Sequence, residues 1–289
     1  MELGGALMET VDLHVHSNCS DGTMSPAELV SYACEKGLRA FALTDHDTVA
    51  GLPEAFAAAE GTALEVVAGI EFSTEYKGKD IHIVGLDIDY RSADFCSQLT
   101  RFQDSRDIRN EKMIKKMQEN GIDISHGQME AAFGDAVWTR AHFARYLMDH
   151  GYVKEMPEAF ERYIGEACPC FVPREKVTPV QAVHLISSTG GIPVLAHPML
   201  YRLSEEEMDI LLSSLKKAGL IGIEAIYSTH SAFDESFVRQ LAKRHGLLIS
   251  GGSDFHGSNK PHIDLGVGRG NLRIPYHILT NLRSRRTKQ

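Results

Sequence analysis

The chain has 289 residues, 43% of them hydrophobic, which is long enough for one large domain or for one domain that carries an insertion. Its formal net charge of −9 argues against a general nucleic-acid-binding sleeve, which is normally basic, and suits a site where carboxylates surround cations. The sequence shows no apolar run that approaches the roughly 18 residues needed to cross a bilayer.

The first residues, MELGGALMET, lack the basic region and the apolar run of a signal peptide. The five cysteines are an odd number, and Cys168 and Cys170 lack the spacing of a zinc knuckle or a redox motif. Free thiols are typical of a reducing compartment. We therefore expect a cytoplasmic protein without a membrane anchor or an obligate protein partner.

Seven short apolar runs indicate β-strands. Helix signals lie between them: Ser25 is placed as an N-cap with Glu28 for a capping box, and Ser204 with Glu207 repeats this pattern. Thr178 precedes a proline and opens another helix. In chain order the apolar runs are VDLHV, LRAFALT, LEVVAGI, DIHIVGL, GIPVLA, GLIGIEAIY and LLISGG.

Strands that alternate with helices and are apolar almost throughout predict a buried parallel sheet covered by helices. Seven strands favour a closed or nearly closed barrel over an open sheet. The middle of the chain breaks the alternation, because RFQDSRDIRNEKMIKKMQENG and TRAHFARYLMDHG are charged and helical in pattern. We therefore expect an α/β fold in which residues 10–92 and 171–289 form the barrel and a helical insertion, residues 93–170, covers its mouth as a cap.

Residue types that bind metal ions recur in or just after the predicted strands. His14 and His16 are two apart in the first strand and therefore project to the same side. In a parallel barrel the carboxyl ends of the strands meet at one rim, where such folds build their active sites. The nine candidate ligands are His14, His16, Asp21, His46, Glu71, His82, His197, Asp254 and His256.

Imidazole and carboxylate without thiolate suit Mn, Fe or Zn in a catalytic role better than a structural zinc site. Nine ligands are enough for two or three divalent ions if one carboxylate bridges. Each cluster alone has a structural interpretation: an HxH pair can be a satisfied core pair, and Asp45-His46-Asp47 can be a turn with an N-cap. Five clusters on one rim favour metal binding, because buried charges that are neither paired nor metal-bound are costly.

Five motifs resemble those of the PHP (polymerase and histidinol phosphatase) family of metal-dependent phosphoesterases: DLHVHSNCSDGT, LTDHDT, GIEFST, AHP and GGSDFHG. The resemblance spans Val11 to about Gly85 and resumes from about Val172 to Gly270. It implies a distorted seven-stranded (β/α) barrel of PHP type with a trinuclear metal site, in which Glu71 bridges. Carried over residue by residue, it implies a first ion held by His14, His16, Glu71 and Asp254, a second by Glu71, His82 and His197, and a third by Asp21, His46 and His256.

Three looser matches, FVPREKVTPVQAV, TRAHFAR and EAIYSTHSAF, resemble stand-alone PHP phosphoesterases that act on nucleotides and short oligonucleotides, including nucleoside 3′,5′-bisphosphate phosphatases. Relatives often read Arg-Pro-His where this chain has Arg140-Ala141-His142. The resemblance implies hydrolysis of phosphate monoesters of nucleotides, such as nucleoside 3′,5′-bisphosphates or AMP, or of short oligonucleotides, by a metal-activated hydroxide. The alternatives are a histidinol-phosphate phosphatase and a non-catalytic PHP accessory module.

Glu71, Asp254 and His230 are the residues expected to act in catalysis, with His230 as a candidate proton donor to the leaving oxygen or a phosphate contact. Arg140 is the candidate phosphate clamp, because a guanidinium holds two phosphate oxygens at once. Ser228, close to His230, is a candidate substrate contact. The structural alternatives are a solvated surface arginine and an ordinary helix-capping neighbourhood around His230.

Other polar residues have supporting roles in this interpretation. Asp12, Asp45 and Asp47 adjoin candidate ligands and are expected to orient imidazoles. Cys19 lies between two ligand groups but is not expected to bind metal, because the oxygen and nitrogen set is complete. A basic stretch of the insertion is expected to be a solvated face or, if it lines the cleft, a contact for an oligonucleotide backbone. That stretch consists of Arg106, Arg109, Lys112, Lys115 and Lys116.

Overall fold

The computed structural model describes residues 9–173 and 177–286. The first eight residues, part of the stretch that argues against a signal peptide, and residues 174–176 of the FVPREKV stretch lie outside the described residues. Every apolar run predicted as a strand contains or overlaps an observed strand. In chain order the strands are β1 Val11–Val15, β2 Ala40–Leu43, β3 Glu65–Tyr76, β4 Lys79–Leu86, β5 Ile192–Leu195, β6 Gly222–Tyr227 and β7 Leu248–Gly252.

The seven strands form one sheet, and their order in the sheet follows their order in the chain. A parallel bridge between Val15, at the end of β1, and Phe255, just after β7, brings the two edges together. The sheet is therefore a nearly closed barrel, which confirms the predicted α/β fold class.

One strand runs against the predicted direction. β4 pairs antiparallel with both β3 and β5, whereas the other neighbouring strands pair in parallel. β3 and β4 are joined only by Lys77 and Gly78, whose φ angles of 53° and 80° suit a tight hairpin turn. A parallel crossover needs a dozen or more residues. The expectation of an all-parallel sheet is therefore wrong at β4.

The helices cover the barrel and begin at the predicted caps. Ser25 with Glu28 and Ser204 with Glu207 form complete capping boxes, and Thr178 forms one with Gln181. The α-helices are α1 Pro26–Glu35, α2 Leu52–Ala59, α3 Ala93–Glu119, α4 His126–Phe133, α5 Arg140–Asp149, α6 Met156–Ala159, α7 Pro179–Ser188, α8 Glu205–Ala218, α9 Ala232–His245 and α10 His277–Ser284. Shorter turns are 3₁₀ at Pro198–Tyr201 and Gly257–Asn259 and π-helical at Phe160–Ile164.

Between β4 and α7 the described chain contains helices and loops but no strand. We call residues 93–164, from α3 to the π-helical turn, the helical region. Its first helix belongs to two apolar clusters: Phe95 and Leu99 pack with the core of the barrel, whereas Met113 and Met117 pack in a separate cluster with α5. The predicted boundaries of the insertion, 93–170, stay a prediction. In the described ranges, no helix combines the length and the apolar character that spanning a membrane requires.

Candidate metal centre

All nine candidate ligands lie at one rim of the barrel. β1 carries His14, and the loops after β2, β5 and β7 carry other ligands, as expected for the carboxyl ends of parallel strands. His82 reaches the same rim from the beginning of β4, not from its end, because β4 runs antiparallel and pairs Ser73 with His82. Glu71 lies inside the long strand β3, where His46 forms a bridge with it.

The buried carboxylate of Glu71 is the centre of the cluster. Five imidazoles surround its two oxygens, three near Oε2 and two near Oε1. A nitrogen of each ring lies at or near hydrogen-bonding distance from one of these oxygens. The nitrogens nearest Oε2 are His14 Nε2 at 3.3 Å, His16 Nε2 at 3.3 Å and His46 Nδ1 at 3.1 Å; those nearest Oε1 are His82 Nδ1 at 3.0 Å and His197 Nε2 at 3.1 Å.

Two further carboxylates extend the cluster on either side. Asp254 Oδ1 lies 3.4 Å from His16 Nε2 and 3.3 Å from His256 Nδ1. Asp21 Oδ1 lies 3.1 Å from His256 Nε2, and Asp21 Oδ2 lies 3.7 Å from His46 Nε2. The three carboxylates and six imidazoles therefore form one continuous, buried network.

The chemistry of this network fits divalent metal ions. Among the described residues, His14 Nε2, both ring nitrogens of His16 and His197 Nδ1 are buried and make no hydrogen bond of suitable geometry, although His14 Nε2 and His16 Nε2 lie 3.3 Å from Glu71 Oε2. Such atoms are costly unless a ligand satisfies them. The ligand atoms form four groups whose members lie within 4.8 Å of one another: His16, Asp21, His46 and His256; His14, Glu71 and His197; His14, His16 and Asp254; and His46, Glu71 and His82.

The protonation of the network follows from its charges. Burial opposes ionisation of Glu71, but the surrounding imidazoles hold the pKa of its carboxyl well below the usual value. Burial likewise opposes ionisation of Asp21 and Asp254, but the imidazoles of His256 and His46 lower the pKa of Asp21 well below its usual value, and Lys260 and then His256 do the same for Asp254. Burial alone would lower the pKa of His16, but Asp254 and Glu71 raise it to about 9. Metal ligands bind in the deprotonated form, so we expect metal binding here to release protons.

A fourth carboxylate, missed by the sequence analysis, orients two of the imidazole-bearing residues. Glu224 in β6 is buried; its Oε1 lies 3.1 Å from His14 Nδ1, and its Oε2 accepts the backbone N–H of His197 at 2.8 Å. His14 Nδ1 therefore donates to Glu224, which leaves Nε2 facing Glu71. The signal was present in the sequence as a lone acidic residue inside the apolar run GLIGIEAIY.

The aspartates beside the ligands hold loops. Asp12 accepts the backbone N–H of Ser253 and of Gly266, both at 2.8 Å. Asp45 accepts the backbone N–H of Ser17 at 2.7 Å and its hydroxyl at 2.6 Å. These contacts fix the segments that carry ligands, and the expectation that Asp12 and Asp45 orient imidazoles stays a prediction.

Asp47 connects the rim to helix α3. Arg106 donates to Asp47 Oδ2 from Nε at 2.8 Å and to the Ser73 hydroxyl at 2.7 Å, and that hydroxyl lies 3.3 Å from His46 Nδ1. Arg106 and Arg109 are only 3% and 5% exposed. The expectation of a solvated face is therefore wrong for these two arginines, which are buried on α3.

A cavity of about 380 Å³ opens over the ligands. Among the described residues, four cationic side chains line it: Arg106, Arg109, Arg140 and Lys260. Lys260 Nζ lies 2.6 Å from Asp254 Oδ2, and the sequence analysis missed it although it follows that ligand in the same loop. The cavity therefore combines the ligand cluster with positive charge.

Arg140 lies in this cavity but is already engaged. Its Nη2 lies 2.7 Å from Asp80 Oδ2, and its guanidinium lies over the rings of Phe160 and Phe171 at 5.8 and 5.5 Å from their centroids. The preceding residue, Thr139, caps α5 and donates its hydroxyl to Asp21 Oδ2 at 2.8 Å. Helix α5 thus carries the candidate phosphate clamp, and its N-cap contacts a candidate metal ligand.

Ser228 and His230 are not among the described residues that line the cavity. The Ser228 hydroxyl donates to the Ser253 carbonyl at 2.6 Å, and His230 Nδ1 lies 3.0 Å from the Ala225 carbonyl. The His230 ring contacts Tyr227, which does line the cavity. The predicted contacts of Ser228 and His230 with substrate stay predictions.

Comparisons with known proteins agree with this site. A 5′-3′ exoribonuclease of Haemophilus influenzae is 36% identical over 85% of this chain and 89% of its own length. A 3′,5′-nucleoside bisphosphate phosphatase of Chromobacterium violaceum is 35% identical over 90% of this chain and 91% of its own length. Both alignments cover the barrel and the helical region together.

Two solved structures superpose on almost the whole chain. An amidohydrolase from Chromobacterium violaceum, solved with bound sulfate and no metal, gives a TM-score of 0.85 at 33% identity and covers 96% of both chains. A protein of Bifidobacterium adolescentis, provisionally described as a metal-dependent phosphoesterase, gives 0.84 at 26% identity and covers 97% of both. The family model of the PHP domain matches residues 12–181, which carry six of the nine candidate ligands. The chain therefore belongs to the PHP domain family.

Proposed function

We propose that this protein hydrolyses phosphate monoesters of nucleotides, such as nucleoside 3′,5′-bisphosphates or AMP, or short oligonucleotides. It is a metal-dependent phosphoesterase of the PHP family. The observation that carries the proposal is the convergence of eight imidazole and carboxylate ligands around a ninth, Glu71, under a cavity with four cationic side chains. The exoribonuclease and the bisphosphate phosphatase among its relatives support a nucleotide-based substrate.

We assign two or three divalent ions, Mn, Fe or Zn, to the nine ligands. When bound, such ions lower the pKa of a coordinated water and neutralise phosphoryl oxygens. The family resemblance implies three ligand sets. Three members of the first set, His14, His16 and Asp254, lie in one close group. All members of the third set, Asp21, His46 and His256, lie in another. The set implied for the second ion is divided between two close groups. His197 groups with His14, whereas His82 groups with His46, and Glu71 belongs to both groups. This supports Glu71 as the bridging carboxylate.

The chain's own residues supply the binding of the phosphate. Arg140 and Lys260 present cations at the ligand cluster, and each is paired with a carboxylate, Asp80 or Asp254. A phosphate that enters the cavity competes with those carboxylates for the same donors. The buried pair of Arg106 with Asp47 joins α3 to the rim and so holds the cavity-lining Arg106 in place.

We also propose that the protein works alone in the cytoplasm, with small phosphorylated substrates as its partners. All five cysteines are free thiols, which is typical of proteins in a reducing compartment.

Phosphate release in the presence of manganese tests the proposal. The substrates are adenosine 3′,5′-bisphosphate, AMP, a short oligonucleotide and histidinol phosphate. We expect release from one or more of the nucleotide substrates and none from histidinol phosphate. Phosphate release from histidinol phosphate alone would identify the protein as a histidinol-phosphate phosphatase. No release from any of the four substrates, with metal bound, would favour a non-catalytic module.

A further inference from the structure

We propose that the apolar part of the cavity lining binds the base of the nucleotide, through Leu200 on the barrel and Met156 on the helical region. This inference rests on the proposed function and assigns part of the substrate to a part of the cavity. We call four apolar side chains of the lining the apolar wall: Met156, Pro157, Phe160 and Leu200.

Leu200 is an exposed apolar side chain next to a candidate ligand. It is 51% exposed and belongs to none of the apolar clusters in the described chain. It lies in the 3₁₀ turn Pro198–Tyr201, which is bracketed by His197 at φ 23° and Arg202 at φ 51°. Both angles fall in the left-handed region, which is unfavourable for residues other than glycine. The strained turn thus places a large apolar side chain at the cavity. Within the described chain, that side chain does not pack in any apolar cluster.

The other residues of the apolar wall come from the helical region, and an apolar cluster of that region supports them. Met156 and Phe160 pack against the apolar cluster of that region with their buried parts and line the cavity with the rest. Phe160 begins a π-helical turn, a distortion that is frequent at functional sites. Arg140 lies over the Phe160 ring, so the guanidinium joins the apolar wall to the ligand side.

A nucleotide matches this division of the cavity. Its phosphate carries negative charge for the cations and the metal site, and its base offers a planar apolar face. A volume of about 380 Å³ is within the range of pockets for small ligands. Contact with the face of a base does not read its edge, so we expect purines and pyrimidines to be accepted alike.

The experiment compares two ligands that differ only by the base: 2′-deoxyadenosine 3′,5′-bisphosphate and its base-free analogue 1,2-dideoxyribose 3,5-bisphosphate. Binding is measured by calorimetry and phosphate release by kinetics, both with manganese. The variants are Leu200→Ala and Met156→Ala. The control is Phe233→Ala, which removes another exposed apolar side chain, 77% exposed, that does not line the cavity among the described residues.

We expect the wild-type protein to bind the base-bearing ligand at least about tenfold more tightly, as one good apolar contact provides. Leu200→Ala should weaken that ligand about five- to tenfold, mostly in KM, and change the base-free ligand by less than about twofold. Phe233→Ala should change neither. Equal affinity of the wild-type protein for both ligands, or an unchanged ratio in Leu200→Ala, would overturn the inference. Base-dependent binding without phosphate release would instead overturn the proposed function and leave the base site standing.

Discussion

The two sides of the cavity are built by different means. On the ligand side, candidate ligands lie in or directly after barrel strands, so the direction of the chain already brings them to one rim. On the side formed by the helical region, Met156, Phe160 and Arg140 lie on helical segments whose positions depend on a separate apolar cluster and on ion pairs such as Arg140 with Asp80. Substitutions on the two sides should therefore separate metal binding from substrate binding.

The largest expected effect is on the ligand side. His14→Ala removes an imidazole that faces both Glu71 and Asp254 and leaves those buried carboxylates without it. We expect turnover to fall by more than about a hundredfold, beyond the 10–100-fold loss typical of residues that only orient ligands. Bound metal, measured by mass spectrometry, should fall as well. Full activity with unchanged metal content would remove His14 from the ligand set, and the surface variant Asp209→Asn serves as a control.

Glu224→Gln tests whether orientation alone matters on that side. The amide keeps the shape of the side chain, but it does not favour the tautomer of His14 that the carboxylate holds through Nδ1. We expect a 10–100-fold loss of metal affinity by calorimetric titration, with the fold retained by circular dichroism. The matched control is Glu235→Gln, an exposed carboxylate in an i,i+4 pair with Arg239, which should bind metal like the wild-type protein. Equal affinity in both variants would show that Glu224 is only a packing residue.

The ligand side is also the part that the sequence predicts well. HxH on a strand, carboxylates after strands and the AHP and GGSDFHG motifs are local patterns, and each of them lies at a strand of the barrel. Local patterns predict where a ligand lies along the chain. In a barrel the carboxyl ends of the parallel strands meet at one rim, so ligands at those ends come together. His82 is the exception, because it lies at this rim only through the antiparallel direction of β4.

The side of the cavity formed by the helical region could not be predicted from the sequence alone, because it depends on tertiary contacts. A helical period in the sequence marks Arg106 and Arg109 as charged positions on a helix, but burial of these positions follows only from the packing of α3 against the rim. The pair of Arg140 with Asp80 joins α5 to β4, residues 60 apart in the chain, and neither residue alone signals the other. Such contacts combine distant segments, and a single sequence carries no record of them.

Arg106→Ala tests the junction between the two sides. It leaves the buried carboxylate of Asp47 without its guanidinium, and we expect a loss of about 3 kcal/mol in the free energy of unfolding. Arg145→Ala, which breaks an exposed i,i+4 pair with Asp149 on α5, should cost less than about 0.5 kcal/mol. Urea denaturation measures both. Similar small losses in the two variants would show that α3 is held by its apolar contacts and not by this ion pair.

The smallest expected effect concerns Arg140, the candidate phosphate clamp, and its ion pair with Asp80. Asp80→Asn removes the carboxylate that occupies Arg140 at 2.7 Å and keeps the size of the side chain. The phosphate then meets a guanidinium with one competitor fewer, so we expect KM for the nucleotide to fall about two- to fivefold with kcat nearly unchanged. Arg140→Ala should raise KM in the same assay, and the double variant should resemble Arg140→Ala, because Asp80 acts on the phosphate through Arg140. A higher KM in Asp80→Asn would mean that the carboxylate positions the guanidinium for the substrate and does not compete with it.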